Sequence, residues 1–209
     1  MLRRLGLTIV TTSTLVISGA FAARAHDAHK HHTTMGTEVQ SQRLSRVSIP
    51  PLGGELVDTA GQPTDLQTLL GERAFILSFS YLDCPEQCPV SDLVMHKLSF
   101  DLADTAEAPS LVTLTLDPEH DNHRRLAAHH ADFGAPANWH WATGEPTAVH
   151  RLLRRLGVET GVPLAEHDVV FFVGSLGSGH MTPVTGLAAP ETLIDIAGQY
   201  ASSSNAHNR

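Results

Sequence analysis

Cys84 and Cys88 are the only cysteines among 209 residues, and they sit in the stretch YLDCPEQCP, Tyr81 to Pro89. In a helix, residues four apart share a face, with Cβ atoms about 5–6 Å apart. At that separation a disulfide closes only with little slack. Reduced, the same two sulfurs can straddle one soft metal ion. Pro85 has no N–H to lose and presets a helical first turn. A helix starting here would hold thiolate with its N–H groups and dipole, which favours metal or redox exchange over an inert thiol. A purely structural bridge gains little, because so short a loop restrains little chain entropy. A redox pair and half of a metal site both remain open.

Two thiolates seldom complete a site. Soft sulfur selects Cu(I), and a trigonal Cu(I) site takes one more donor, commonly imidazole. Histidine is abundant here, with 14 residues, as many as Lys and Arg together. His167 lies just before the apolar run Val169–Gly174, in a loop that can reach the end of the cysteine strand. His120 and His123 stand close to Asp117, where another apolar run stops. His26, His29, His31 and His32, followed by Met35, form a tract that collects Cu(II), Zn or Ni with modest selectivity, or is only a solvated linker.

These residues must be held by secondary structure. Ala74–Leu82 is apolar on both faces and suits a central, buried strand ended by Cys84-Pro85. A helix follows, with Val90, Leu93, Val94, Leu98 and Leu102 on one stripe. Leu111–Leu116 is a second buried strand, and a helix over about 121–133 follows it, with Asp117 as its candidate cap. Trp139–Trp141 reads as a short strand that packs one Trp and exposes the other. Val149, Leu152, Leu153 and Leu156 mark another helix, stopped by Gly157. Val169–Gly174 and Met181–Gly186 flank a turn-rich stretch and form a hairpin, and Pro190–Tyr200 is a closing helix. The order describes an open α/β sheet with an antiparallel hairpin at one edge. Sites in such sheets form at the carboxyl ends of the parallel strands, where Cys84 and Asp117 fall.

Composition narrows the class. Hydrophobic content of 42% fills a core, and an aromatic share of 5% leaves that core to aliphatic side chains. A net charge of −8 argues against non-specific nucleic-acid binding, which needs Lys and Arg against phosphate. There is no Ser-His-Asp arrangement, phosphate loop or paired-carboxylate spacing to follow. Residues 1–25 read as a targeting segment: Arg3 and Arg4 precede an apolar stretch ending in small-x-small patterns. It is a cleaved signal peptide or an N-terminal membrane anchor, and either exports the rest. Export places the cysteines where thiols tend to oxidise. The expected organisation is 1–25 for targeting, 26–48 as a flexible linker, 49–202 as the folded domain and 203–209 as a disordered tail.

Three segments taken together resemble the Sco/SenC family of thioredoxin-fold copper proteins: FSYLDCPEQCP, LTLDPEHD and AEHDVVFF, in that order. The resemblance spans roughly residues 50–202. It implies a thioredoxin-like fold, with a central mixed sheet flanked by helices, a C-terminal β-hairpin and a closing helix. It implies copper, as Cu(I) or Cu(II), on Cys84, Cys88 and His167, with Asp117 ordering the surrounding loop without binding the metal. The implied function is a metallochaperone on the periplasmic side, free or anchored to the inner membrane. It would deliver copper to the CuA subunit of cytochrome c oxidase, or reduce that subunit's cysteines; another extracytoplasmic cuproprotein is an alternative client. Two other functions stand beside it. One is a thiol–disulfide oxidoreductase in which Cys84 attacks and Cys88 resolves. The other is copper storage or resistance through the histidine tract.

Overall fold

Seven consecutive buried residues, Ala74–Ser80, form the strand β5 around which the sheet is built. The computed structural model describes residues 41–84, 88–158, 163–164 and 167–207, with the side chains of 88, 89 and 203–207 outside that description. The expected targeting segment 1–25 and the tract His26, His29, His31 and His32 lie outside the described residues. In chain order the elements are β1 (Gln42–Arg43), β2 (Val47–Ser48), β3 (Leu56–Asp58), β4 (Pro63–Thr64), α1 (Leu66–Leu70) and β5. Then come α2 (Cys88–Asp101), β6 (Ser110–Thr115), α3 (His123–Asp132), β7 (Trp139–Thr143) and α4 (Pro146–Leu156). The hairpin β8 (Val170–Ser175) and β9 (His180–Thr185) and the helix α5 (Pro190–His207) complete the chain.

The sheet runs β1-β9-β8-β5-β6-β7-β3-β4, and β2 also pairs with β9. Strands β5, β6 and β7 are parallel, and β8 is antiparallel to β5. Parallel neighbours need a crossover, which α2 and α3 supply. Side chains alternate across β5. Phe75, Leu77 and Phe79 pack with Leu66, Leu70, Val149, Leu152 and Leu153 on one face. Ala74 and Ile76 pack with Met95, Leu98, Leu126, Leu193 and Ile196 on the other. In α4 the buried leucines alternate with Arg151, Arg154 and Arg155 facing out, and Gly157 ends the helix in the left-handed region at φ 75°.

The second face carries a polar seam. The Ser78 and Thr113 hydroxyls are 2.7 Å apart, and Trp139 Nε1 donates to Thr113 Oγ1 at 2.8 Å. Ser80 donates to Asp92 Oδ2 at 3.1 Å. This seam turns α2 away from the expected stripe. Ser91, Asp92, Met95, Leu98, Ser99 and Leu102 are buried, whereas Val90 is exposed and Leu93 is 57% exposed. A partner for Asp92 outweighs burial of one more aliphatic side chain, because a buried carboxylate without hydrogen bonds is far costlier.

Three further expectations are corrected. Trp139 and Trp141 are both buried, because residues two apart on a strand share a face and α3 covers that face. The expected linker 26–48 contains β1 and β2, two-residue strands laid on β9 and too short to show periodicity. The expected tail 203–209 is helical through His207, since α5 runs on past Tyr200, and Ser202 Oγ donates to Gly198 O.

Two glycines test the packing in opposite directions. A Cβ on Gly174 in β8 would stand 2.6 Å from His180 O and 2.7 Å from Met181 Cβ on the paired strand. Gly174→Ala is therefore expected to lower stability by about 1–3 kcal/mol in urea unfolding. A Cβ on Gly198 in α5 meets nothing within 4 Å, so Gly198→Ala is expected to raise stability by about 0.5–1 kcal/mol. A neutral Gly174→Ala would contradict the close β8–β9 approach.

Candidate metal centre

The cysteine loop starts where β5 stops. Leu116 N donates to Ser80 O at 2.8 Å, the last backbone bond between β5 and the chain leaving β6. Tyr81–Cys84 and Asp117–Asp121 therefore leave the sheet side by side at its carboxyl end. Cys84 N donates to Tyr81 O at 3.3 Å, closing a tight turn. Cys84 is half-buried and packs on the first-face cluster, and Cys88 opens α2. Pro85, read as presetting the first helical turn, lies outside the described residues.

A carboxylate outside the expected set fixes this loop. Asp121 is fully buried, and its Oδ2 accepts from Leu82 N at 3.2 Å and from Thr115 Oγ1 at 2.7 Å. Thr115 Oγ1 accepts in turn from Asp117 N at 3.0 Å, which sets the direction of its own proton. The other Asp121 oxygen lies 3.7 Å from Arg125 Nη1, and Arg125 Nη2 donates to Asp83 Oδ1 at 2.8 Å. Burial raises the Asp121 carboxyl above its ordinary value, against the hydrogen bonds from Thr115 and Leu82 and the nearby Arg125 charge.

Asp117 has a different task. Its two oxygens accept from His120 Nδ1 at 2.8 and 2.9 Å, and this bond raises the imidazole above its ordinary value. The cap of α3 is Asn122, whose side chain accepts from Arg124 N and Arg125 N, so Asp117 does not serve as that cap. His123 begins α3, with its ring beside Gly61.

His167 lies two residues before Val169, on the segment entering β8, and its N–H donates to Leu164 O at 3.3 Å. In the β5–β8 register Ser78 faces Phe171. The pairing ends there, and His167 lies four residues before Phe171 on the segment that leads into β8. Leu164 packs on the same cluster as Cys84. Imidazole and thiolate are the borderline and soft donors that suit copper or zinc. Among the described residues no three His, Cys, Asp or Glu side chains converge on one ion position, and the Cys88 side chain is not among them.

One turn into α2, a second carboxylate is buried. Asp92 Oδ2 accepts from His129 Nε2 at 3.0 Å as well as from Ser80, tying α2 to α3. Burial raises its pKa in spite of both partners. Asp92 and His129 carry no motif, and nothing in their spacing marks them. Asp121 does stand within the Asp117–Asp121 motif, and its proximity to Asp117 was the available signal.

Asp121→Ala removes the acceptor of a partly buried amide and a buried hydroxyl. The expected cost is about 2 kcal/mol, with loss of hydrogen-exchange protection at the Leu82 amide. Asp121→Asn tests the charge. An acid whose folded pKa lies above its unfolded 3.8 takes up protons on folding. Its contribution to stability is therefore largest below that value and declines as pH rises through the folded pKa. Urea midpoints for wild type should fall relative to Asp121→Asn across that window, and a constant difference would contradict the buried carboxyl.

Residues 54–172 match the family model SCO1/SenC. No curated protein matches the sequence. Among solved structures, Bradyrhizobium japonicum ScoI with copper bound is similar at 19% identity and a TM-score of 0.59, covering 73% of this chain and 99% of that one. BsSco, a member of the Sco family of cytochrome c oxidase assembly proteins, is similar at 16% identity and a TM-score of 0.63, over 77% and 98%. A SCO1/SenC family lipoprotein from Bacillus anthracis is similar at 18% identity and a TM-score of 0.63, also over 77% and 98%. At these identities the structural likeness is one of fold, the thioredoxin-like arrangement of a mixed sheet flanked by helices. The family match covers more than half of the 209 residues and takes in the Cys84, Asp117 and His167 segments, so the chain belongs to the SCO1/SenC family.

Proposed function

We propose that this chain is an extracytoplasmic copper carrier that holds its cargo on Cys84, Cys88 and His167. It would pass copper to an acceptor cuproprotein, of which the CuA subunit of cytochrome c oxidase is the first candidate. The observation that carries the reading is the pinned cysteine loop. A buried carboxylate holds Leu82 N–H, two residues before Cys84, and His167 lies on the segment that enters β8, the strand paired with β5. A thiol pair held at a strand end, facing a single imidazole, suits a soft ion that must later be released.

Family membership supports the copper. B. japonicum ScoI is a copper-bound relative, and BsSco belongs to a family that assembles cytochrome c oxidase. BsSco also carries a disulfide switch. By analogy, once the cargo leaves here, Cys84 and Cys88 would be free to close a bond between them at the expense of an acceptor disulfide. Export rests on the targeting segment read from residues 1–25. Among the described residues no helix is long and apolar enough to cross a membrane.

Anaerobic Cu(I) titration of the full chain, with competition by a Cu(I) chelator, tests this. The thiolate-to-copper absorption confines the signal to the cysteines and leaves the histidine tract out of it. One tight equivalent is expected, lost in Cys84→Ser and Cys88→Ser. His167→Ala should weaken it at least about tenfold, or about 1.4 kcal/mol. A thiolate signal that His167→Ala leaves unchanged, with disulfide exchange intact, would favour the oxidoreductase reading instead. Copper bound without any thiolate signal would favour the histidine tract.

A further inference from the structure

We propose that His120, aimed by Asp117, is an exchange ligand at the rim of the cysteine site. It would take copper first from its donor and hand it inward. The inference rests on the carrier reading above and adds a step to it.

Position is the first argument. Asp117 and His120 belong to the turn that leaves β6 beside the cysteine loop, and Asp121 N donates to Asp117 O across that turn at 2.8 Å. Arg125 joins the two loops: Nη1 donates to His120 O at 3.1 Å and Nη2 to Asp83 Oδ1 at 2.8 Å. One guanidinium therefore spans from His120 to the residue next to Cys84.

Orientation is the second. With Nδ1–H donated to the Asp117 carboxylate, the neutral ring carries its lone pair on Nε2. The His120 side chain is 68% exposed while that of Asp117 is 12% exposed, so the ring reaches into solvent from a seated carboxylate. A carboxylate behind an imidazole is the arrangement that fixes tautomer and raises basicity in metal-binding histidines. His129 and His150 differ, because each spends Nε2 on a carboxylate, Asp92 and Glu119 respectively.

Weakness of the position is the third. One exposed imidazole without two further donors around it does not retain an ion. A receiving ligand needs that property, since copper must leave it quickly. In the step, a Cu–Nε2 bond forms as a donor ligand leaves. A Cu–S bond then forms to a site cysteine as the Cu–Nε2 bond breaks and the thiol proton goes to solvent. Copper keeps its oxidation state throughout.

The test is anaerobic stopped-flow loading of the full chain from a Cu(I)–chelator complex, followed by the thiolate-to-copper band. His120→Ala should slow loading about tenfold, within the range that outer partners of a metal site usually command. Its equilibrium affinity by chelator competition should stay within about twofold of wild type. Asp117→Asn should also slow loading, and the double variant should load no more slowly than His120→Ala alone. Wild-type loading in His120→Ala would overturn the proposal. A loss of affinity equal to the loss of rate would also overturn it, because His120 would then be a resident ligand. Additive slowing in the double variant would separate Asp117 from His120 and remove the dyad. A wild-type chain that never develops the thiolate band would instead overturn the carrier reading beneath it.

Discussion

A buried carboxylate, Asp121, ties the described part of the cysteine loop to the chain leaving β6. Asp121 accepts Leu82 N–H and the Thr115 hydroxyl on one oxygen and faces Arg125 with the other. A loop leaving a sheet must find partners for its amides, because an unpaired buried N–H costs as much as a lost hydrogen bond. Asp121 meets that need from the neighbouring strand's exit, so the two loops are ordered by one group. Arg125 extends the tie to Asp83 and to the His120 carbonyl. The burial that strengthens these bonds also raises the pKa of Asp121, so the tie is electrostatically costly and depends on each partner being present.

Behind the loop, the seam of Ser78, Thr113, Trp139, Ser80, Asp92 and His129 runs through the second face of the sheet. An apolar core tolerates small rotations of a helix, since one aliphatic contact replaces another. A satisfied buried carboxylate does not. Asp92 therefore sets the rotation of α2, and α2 begins at Cys88, so the seam and the site share one rigid element. The consequence is visible on the outside: Leu93 and Phe100, 57% and 77% exposed, lie on the face that α2 turns to solvent.

Much of the architecture was legible in the residues. β5 and β6 are continuous apolar runs, the β8–β9 hairpin is bracketed by Gly and Ser, and α4 repeats leucines against arginines. Each signal is local and strong. Legibility failed where a long-range polar contact overrode a local pattern. Of the expected stripe Val90, Leu93, Val94, Leu98 and Leu102, Leu98 and Leu102 are buried, but Val90 and Leu93 are turned out because Asp92 found Ser80 and His129 from elements distant in sequence. The same holds in the site. The motif pointed to Asp117, which accepts from His120, and the tie to Leu82 comes from Asp121, the motif's other carboxylate. Strands of two residues, such as β1 and β2, offer no periodicity at all and exist only because the β9 edge has open hydrogen-bonding groups.

The ligands that surround the copper decide whether this chain is a carrier. The most direct measurement is copper-edge X-ray absorption on the full chain loaded anaerobically with one equivalent of Cu(I). A copper carrier built on Cys84, Cys88 and His167 should show a three-coordinate ion with two sulfur neighbours and one nitrogen, the nitrogen lost in His167→Ala. A shell of nitrogen and oxygen alone, or two sulfurs with no imidazole, would contradict it.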